Sequence, residues 1–238
     1  MTKESTGAAP RALKVLSTVG VQGLLEELAP EFERATGHKV AITFNVVKLF
    51  KEQILAGADF DVGFFSDAVT DDLIKAGKIA ADTRTNIGRS GVGFAVRAGA
   101  AKPDIGTVDA LKRTLLAAQS IVYPKDGISG VYFAEIVKNL GIDEAMKPKT
   151  ILDTSGGLVG GRVASGEAQY AVQLVSELTP VRGCDVVGPI PQELQRYVVL
   201  TAGVSANAKS ADAAKALLAF VTAPAAVAVM KAKGLDPL

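Results

Sequence analysis

The sequence of 238 residues predicts an α/β protein built from two lobes with a ligand cleft between them. Segments typical of strands and of helices alternate along most of the chain, which indicates parallel sheets covered by helices. About ten strands are expected, and this number is large for one doubly wound domain. Glycine and proline interrupt the alternation between Gly99 and Gly106, which is the best candidate for a boundary. The alternative is a single doubly wound domain.

The first third of the chain shows the clearest alternation. Apolar residues from Val21 to Phe32 recur at the spacing of one helix face, and Gly37 follows as a stop signal. Val40, Ile42 and Phe44 alternate with smaller or polar residues, as strand residues do. The predicted elements here are strands over 13–17, 40–44 and 61–65 and helices over 21–36, 48–56 and 68–76.

The rest of the chain continues the pattern. Thr107 is the expected N-cap of a helix, and Gly141 is the expected stop of another. We expect residues 1–91 and 200–238 to form one lobe and residues 92–199 to form the other, with the segments 92–97 and 197–201 crossing between them. The predicted strands are 92–97, 120–123, 169–174, 184–187 and 197–201, and the predicted helices are 107–118, 131–140, 159–165, 211–222 and 225–233.

Composition and charge exclude several classes of function. The 26 Lys and Arg against 25 Asp and Glu leave a net charge of +1, so neither nucleic acid nor an anionic membrane surface is an expected partner. A hydrophobic content of 48% and a mean hydropathy of +0.27 exclude disorder. One Cys and one His exclude an intramolecular disulfide and argue against a zinc site. No cofactor, metal or disulfide partner is therefore expected.

The chain carries no visible targeting segment. Its first twelve residues are polar and do not resemble a signal peptide. The apolar stretch from Leu217 to Met230 is interrupted by Thr222 and Pro224 and is shorter than the roughly 20 residues of a spanning helix. We expect a soluble protein, periplasmic if a signal peptide has been removed from the natural chain and cytoplasmic otherwise.

Nucleotide and hydrolase motifs are missing. No phosphate-binding G-x-x-x-x-G-K-[ST] or dinucleotide-binding G-x-G-x-x-G is present, and the glycine cluster at 156–161 lacks the lysine. His38, the base that a Ser-His-Asp hydrolase would need, lies in a polar turn and is interpreted as solvated. Cys184 begins a strand and is interpreted as a small core residue.

Small and polar residues cluster where strands lead into helices, at 17–20, 45–48, 128–130 and 155–157. In open parallel sheets these junctions lie at the carboxyl ends of strands, where ligands bind, and free helix N-termini favour anions. One such loop is uninformative, because Gly and Ser cap helices everywhere. Together they predict a cleft for a small anionic solute.

One junction is singled out as an anion site. The segment 123–130 turns on Gly127 and presents Ser129 and Gly130 at the start of a helix. We expect Ser129 to donate its hydroxyl to the ligand and Gly130 to let the ligand approach the backbone. The alternative is that Ser129 only caps the helix.

Seven segments spread over nearly the whole chain carry a family resemblance: LKVLSTVGVQGLLEELAPEFERATGHKV at 13–40, 57–61, DLIKAGKI at 72–79, RSGVGFAVRAGA at 89–100, SG at 129–130, VSEL at 175–178 and VGPIPQEL at 187–194. These segments resemble those of molybdate-binding-type extracellular solute-binding proteins. The resemblance implies a two-lobed type II periplasmic-binding-protein fold with two crossover segments, closing over its ligand by a hinge.

The resemblance fails where molybdate chemistry should lie. Molybdate binders place serines at the positions of Gly20 and Val47, and a tyrosine near Gln173 or Leu174. Without these donors a buried oxyanion is under-coordinated, which is unfavourable. We therefore expect no tight molybdate binding. The branch that this chain resembles looks built for an organic ligand, and aconitate isomerase, an enzyme on the same scaffold, is similar to it.

The first functional hypothesis is a solute-binding protein of an ABC-type uptake system that binds a small organic anion, a carboxylate. Its expected partners are that solute and a membrane permease, and the chain is expected to be a monomer. Lys48 could pair with a carboxylate or be an exposed first-turn lysine, and Arg89 could also point into the cleft. The expected ligand-binding residues are Ser17, Thr18, Asn45, Val46, Lys48, Ser66, Ser90, Ser129, Gly130 and Gln173.

The alternative is an isomerase of a small unsaturated di- or tricarboxylate that resembles aconitate isomerase. Moving a double bond requires a base that removes a proton next to a carboxyl-activated carbon. The candidates are Glu177, Asp126 and Tyr132. Glu177 follows a predicted strand, but capping of a helix by Ser176 and Glu177 explains it equally well. A sensor that only reports a metabolite level is a third possibility.

Overall fold

The computed structural model describes residues 11–238. Within them the chain forms nine strands and ten α-helices, with short 3-10 turns at 19–21, 81–83, 147–149 and 224–226. The strands are β1 (Leu13–Thr18), β2 (Val40–Asn45), β3 (Val62–Ser66), β4 (Thr85–Arg97), β5 (Ile121–Pro124), β6 (Thr150–Asp153), β7 (Tyr170–Leu174), β8 (Cys184–Pro189) and β9 (Tyr197–Val204). The helices are α1 (Gln22–Thr36), α2 (Val47–Leu55), α3 (Asp67–Lys75), α4 (Val108–Ala117), α5 (Ile128–Asn139), α6 (Asp143–Met146), α7 (Gly160–Ser165), α8 (Val175–Leu178), α9 (Ala211–Val221) and α10 (Val227–Ala232).

The first group of strands has the order β2-β1-β3-β9-β4. β1 is parallel to β2 and β3, and β9 runs antiparallel to β3 and to the first half of β4. The apolar face of α1, including Leu24, Leu28 and Phe32, is buried together with Leu217 and Leu218 of α9. The helical spacing in the sequence therefore corresponds to a buried face.

The second group of strands surrounds the other half of β4. This half runs antiparallel to β7 and β8, and β5 is parallel to β6 and β7. A separate core containing Phe94, Leu111, Phe133 and Val172 joins this sheet to α4 and α5. Two cores on two sheet halves agree with a two-lobed α/β architecture.

β4 changes its strand partners in the middle. Gly91 is paired with Tyr197 of β9, whereas the next residue, Val92, is paired with Leu174 of β7. At this point the Gln195 side chain takes the place of a strand: its Oε1 accepts the Val92 N–H at 2.7 Å, and its Nε2 donates to the Val92 carbonyl at 2.9 Å. The Gln195 side chain therefore supplies hydrogen bonds to the buried backbone of Val92 at the point where the partner of β4 changes from β9 to β7.

Replacing Gln195 by alanine is expected to lower the free energy of unfolding by about 2 kcal/mol, because the buried Val92 N–H loses its partner and the Val92 carbonyl keeps only the hydrogen bond from the Ile190 N–H. Urea unfolding measures the loss. The exposed Gln192, whose contact is one 3.4 Å hydrogen bond from the Tyr197 hydroxyl, provides the matched Gln192→Ala control. Equal stability of the two variants would show that the Gln195 hydrogen bonds contribute nothing net.

The alternation in the sequence predicted most elements within a few residues, and four segments were missed. The predicted elements contained neither β6, nor the first half of β4, nor the four-residue helices α6 and α8. β6 is a short edge strand with an exposed Leu152, so it lacks a continuous apolar pattern. The first half of β4 contains Asn86, Gly88 and Arg89 and is held by pairing with β9, which no local pattern reveals. The described chain has nine strands rather than ten.

The two C-terminal helices close the first core. Ala214, Leu217, Leu218 and Val221 of α9 are buried there, as is Met230 of α10. Over residues 11–238 no single helix is long and apolar enough to cross a membrane; α9 and the helical segment Pro224–Ala232 reach that length and composition only as a pair bent by 53°.

Candidate functional site

A cavity of about 80 Å³ lies at the carboxyl ends of strands from both halves of the fold. Thr18 ends β1 on one side, and Pro124, Asp153 and Gln173 lie at or near the ends of β5, β6 and β7 on the other. This is the position at which α/β sheets bind ligands, and the space suits a small solute. The lining residues are Thr18, Val19, Val46, Val47, Pro124, Asp126, Gly127, Ile128, Ser129, Asp153, Thr154, Gly156, Gly157, Gln173 and Glu177.

Two helices begin at this cavity, α2 at Val47 and α5 at Ile128. Neither helix has a side-chain cap, and within residues 11–238 the N–H groups of Val47, Ile128 and Ser129 have no hydrogen-bond partner. Unpaired first-turn N–H groups and the positive end of the helix dipole attract anions. The local geometry therefore favours an acceptor-rich ligand.

Ser129 is buried in the first turn of α5 and lines the cavity. The N-cap of this helix is Gly127, so the alternative that Ser129 caps the helix is wrong. The Ser129 hydroxyl instead donates to Oε2 of Glu177 across a long distance of 3.5 Å. Ser129 thus joins α5 to α8 at the wall of the cavity.

Glu177 caps a helix, as one of the two interpretations of the sequence expected, and it also lines the cavity. Its Oε2 accepts the Leu174 N–H at 3.0 Å, which caps α8, and the same side chain lines the cavity. Oε1 accepts no hydrogen bond from any residue of the described chain. Burial raises the pKa of the carboxyl from its ordinary 4.5 to about 7, against the opposing effect of the two hydrogen bonds.

Gln173 and Asp153 shape the cavity wall rather than offer free donors. The Gln173 amide accepts the Val159 N–H at 2.9 Å and donates to the Gly157 carbonyl at 3.1 Å, which holds the loop before α7. Burial alone would raise the pKa of Asp153, but hydrogen bonds from Ser155 and Arg162 outweigh it and hold the pKa below its ordinary value. Asp153 is therefore an ionised, paired carboxylate.

The structure brings six of the predicted site residues together in the cavity lining: Thr18, Val46, Asp126, Ser129, Gln173 and Glu177. Asp153, Thr154 and the apolar Val19 and Ile128 were not predicted as site residues. Asp153 was missed because its strand was missed. The Ser155–Gly157 junction in the sequence was the only signal near Thr154 and Gly156.

Other predicted ligand donors lie outside the lining, and three of them have internal hydrogen-bond partners. The Ser17 hydroxyl donates to the Thr18 carbonyl, and Asn45 Oδ1 accepts the Val46 N–H. Lys48 is exposed, and Ser66 is buried at the end of β3. The Ser90 hydroxyl donates to the Gly234 carbonyl at 2.9 Å and accepts the Ser176 N–H at 3.1 Å, so it belongs to the packing around β4.

Gly130 and Tyr132 also lie outside the cavity lining. A Cβ on Gly130 would lie 1.7 Å from the Pro124 carbonyl oxygen, so glycine is required by packing rather than by ligand approach, which corrects the role predicted for it. Tyr132 is half-buried between the two cores, with the Arg196 guanidinium 4.9 Å from its ring centre. Arg89 is over the Tyr197 ring at 4.5 Å.

The single histidine and the single cysteine of the sequence are not among the residues that line the cavity. His38 lies in an exposed turn, as expected. Cys184 is half-buried against a small core, and burial raises the pKa of its thiol to about 11. The part of the chain that the structure describes contains no group of three or more His, Cys, Asp or Glu side chains that could hold a metal ion.

Comparisons with known proteins agree with this architecture. Residues 13–236 match the family model described as bacterial extracellular solute-binding protein. The chain is 34% identical over 232 residues to an aconitate isomerase from a Pseudomonas species, covering 95% of this chain and 88% of that protein. It is 32% identical over 222 residues to the molybdate-binding protein ModA of Azotobacter vinelandii, covering 88% and 84%.

The fold matches solved structures as well. The periplasmic molybdate-binding protein of Azotobacter vinelandii superposes with a TM-score of 0.78 at 21% identity, covering 95% of this chain and 99% of that one. A periplasmic thiamin-binding protein superposes with a TM-score of 0.72. The predicted type II periplasmic-binding-protein fold is confirmed, and the chain belongs to the family of bacterial extracellular solute-binding proteins.

Proposed function

We propose that this chain binds a small organic carboxylate in the described cavity, as the periplasmic solute-binding component of an ABC-type uptake system. The observation that carries the proposal is that two helices without side-chain caps begin at one cavity, whose lining among residues 11–238 contains no Lys or Arg. We place residues 1–91 and 200–238 in one lobe and 92–199 in the other, with β4 and β9 crossing between them and hinge closure enclosing the ligand.

The lining favours a carbon skeleton over an inorganic oxyanion. Val19, Val46, Val47 and Ile128 offer apolar contacts beside the free N–H groups, a combination typical of small-molecule sites. Val47 has no hydroxyl to donate. Gly20 is buried, and a Cβ there would lie 3.3 Å from the Leu200 side chain, so little room remains for a donor side chain. These contacts support a carboxylate rather than molybdate.

A ligand screen tests the proposal. We expect trans-aconitate, citrate or another di- or tricarboxylate to raise the melting temperature, because a ligand that binds only the folded state stabilises it. Molybdate, tungstate and sulfate are expected to cause no comparable shift. Calorimetry then gives the dissociation constants. Submicromolar binding of molybdate without carboxylate binding would contradict the proposal.

Ser129→Ala is expected to weaken binding of the carboxylate found in the screen by about one to two decades. The Ser129 hydroxyl is expected to turn from its long 3.5 Å contact with Glu177 to the ligand, and a hydrogen bond to a charged group contributes roughly 1.5–3 kcal/mol. Calorimetry at constant pH measures the change. Ser165→Ala, at an exposed serine at the end of α7, is the matched control and should bind normally. If Ser129→Ala lowers only the melting temperature, Ser129 does not contact the ligand.

The second candidate function is an isomerase of a small unsaturated carboxylate. It is favoured by the position of Glu177, a cavity-lining carboxyl whose pKa burial raises to about 7, near the value that suits a general base. Glu177 would take a proton from a carbon next to a ligand carboxyl and return one at the other end of the shifted double bond. Interconversion of cis- and trans-aconitate, followed by proton NMR and abolished by Glu177→Gln, would establish it.

A further inference from the structure

We propose that Glu177 binds the ligand as a neutral carboxylic acid, donating a hydrogen bond from Oε1 to a ligand carboxylate, so that ligand and one proton are taken up together. This inference rests on the proposed binding of a carboxylate. It assigns Glu177 a role in recognition, as the residue that selects an acceptor-rich ligand.

The hydrogen bonds of Glu177 determine where the proton sits. Oε2 accepts the Leu174 backbone N–H at 3.0 Å and the Ser129 hydroxyl at 3.5 Å. A backbone N–H can only donate, so Oε2 must remain an acceptor. The acid proton therefore belongs on Oε1, which no described residue contacts by a hydrogen bond and which belongs to a side chain lining the cavity.

The negative charges of the cavity lining and of the ligand require Glu177 to carry this proton. In the part of the chain that the structure describes, the lining contains the carboxyl groups of Asp126, Asp153 and Glu177 and no Lys or Arg. Arg162 is held by Asp153 at 2.8 Å and by Glu167. A ligand carboxylate beside an ionised Glu177 would bring like charges together in a confined space, which is strongly unfavourable. A protonated Glu177 turns this repulsion into a hydrogen bond.

Charged groups on the surrounding elements do not supply an alternative explanation. The pKa of Glu177 responds to burial and to its bonds with Leu174 and Ser129, and to no neighbouring charge. The elements and loops packed around α8 and the cavity also carry titratable or charged residues. These are Lys14 of β1, Glu26, Glu27, Glu31, Glu33 and Arg34 of α1, Lys48, Lys51 and Glu52 of α2, Arg89 and Arg97 of β4, Tyr123 of β5, Lys125, Asp126, Tyr132, Glu135 and Lys138 around α5, Asp153 of β6, Arg162 of α7, Tyr170 of β7, Cys184 and Asp185 of β8, and Lys233 next to Gly234.

The test is calorimetry with trans-aconitate and citrate at pH 7 and pH 9, where the carboxyl groups of the ligands are ionised. For the wild type we expect affinity to fall roughly 50-fold over this interval, as the fraction of protonated Glu177 falls. Glu177→Gln keeps an acceptor for Leu174 and a donor toward the cavity but has no proton to lose, so the affinity of this variant should differ by less than about twofold between pH 7 and pH 9. Glu144→Gln, on the surface, is the matched control and should follow the wild type.

Proton uptake gives a second readout that needs no variant. Binding enthalpies measured in buffers of different ionisation enthalpy should reveal uptake of about half a proton per ligand at pH 7. Carboxylate binding with no proton uptake and no pH dependence would overturn the inference while leaving the proposed function intact. If neither carboxylate binds at any pH, the proposed function fails and the inference falls with it.

Discussion

The wild type is expected to lose stability as pH rises from about 4.5 to 7, and Glu177→Gln is expected to remove this loss. The pKa of Glu177 is raised from 4.5 to about 7 in the folded state, so the folded chain binds more protons than the unfolded chain in this interval. The free energy of unfolding must then fall as pH rises, by about 3 kcal/mol for this one group. Glutamine carries no proton to lose, so the variant should lack this contribution.

Urea unfolding at pH 5 and pH 8 measures this difference. Glu144→Gln provides the control, because it makes the same chemical change on an exposed side chain. For each variant, the change in the free energy of unfolding between pH 5 and pH 8 is subtracted from that of the wild type. Comparing the two results separates the contribution of Glu177 from that of the other titrating groups. Parallel pH profiles for the wild type and Glu177→Gln would mean that the carboxyl titrates normally, and the proposed protonated donor would lose its basis.

Gly130→Ala is expected to destabilise the fold by about 3 kcal/mol or more, because overpacking against backbone cannot be relieved by a side-chain rotation. The new Cβ would lie 1.7 Å from the Pro124 carbonyl oxygen and 2.8 Å from its carbonyl carbon. Either α5 or the end of β5 must move. Both elements line the cavity or lie next to it, so ligand affinity should fall together with stability.

The matched control is Gly161→Ala in α7, where a Cβ has no neighbour within 4 Å. Alanine in a helix is more favourable than glycine by roughly 0.5–1 kcal/mol, so this variant should be unchanged or more stable. Thermal and urea unfolding compare the two variants. A Gly130→Ala protein with wild-type stability and weakened binding would restore the original expectation that glycine serves ligand approach.

Local patterns in the sequence predicted much of the fold, and the reasons are specific. The apolar face from Leu24 to Phe32 and the alternation from Val40 to Phe44 are periodic over several residues, so they determine element type by themselves. Thr107 does cap α4, with its hydroxyl oxygen accepting the Ala110 N–H at 3.2 Å. β6 and the start of β4 were missed because their stability comes from pairing with distant strands.

The cavity was predicted less completely. Thr18, Ser129 and Gln173 were identified because each is polar and close to a strand end, which is a local property. Whether a hydroxyl is free depends on distant neighbours, and this is why Ser90, bonded to Gly234 and Ser176, was placed in the site. The role of Gly130 could not be predicted locally either, because its close contact with Pro124 depends on the turn that separates them.

By itself, the sequence determined the α/β class, the family resemblance and several of the junctions that line the cavity, because periodicity, glycine stops and small polar loops are local properties of the chain. Only the tertiary structure decided that Glu177 caps α8 through one carboxyl oxygen while lining the cavity beside Ser129. It also decided that Gln195 completes the pairing of Val92 where β4 changes sheet. Burial and hydrogen-bond partners depend on residues far apart in sequence, and these two properties set the pKa and the chemistry of a side chain.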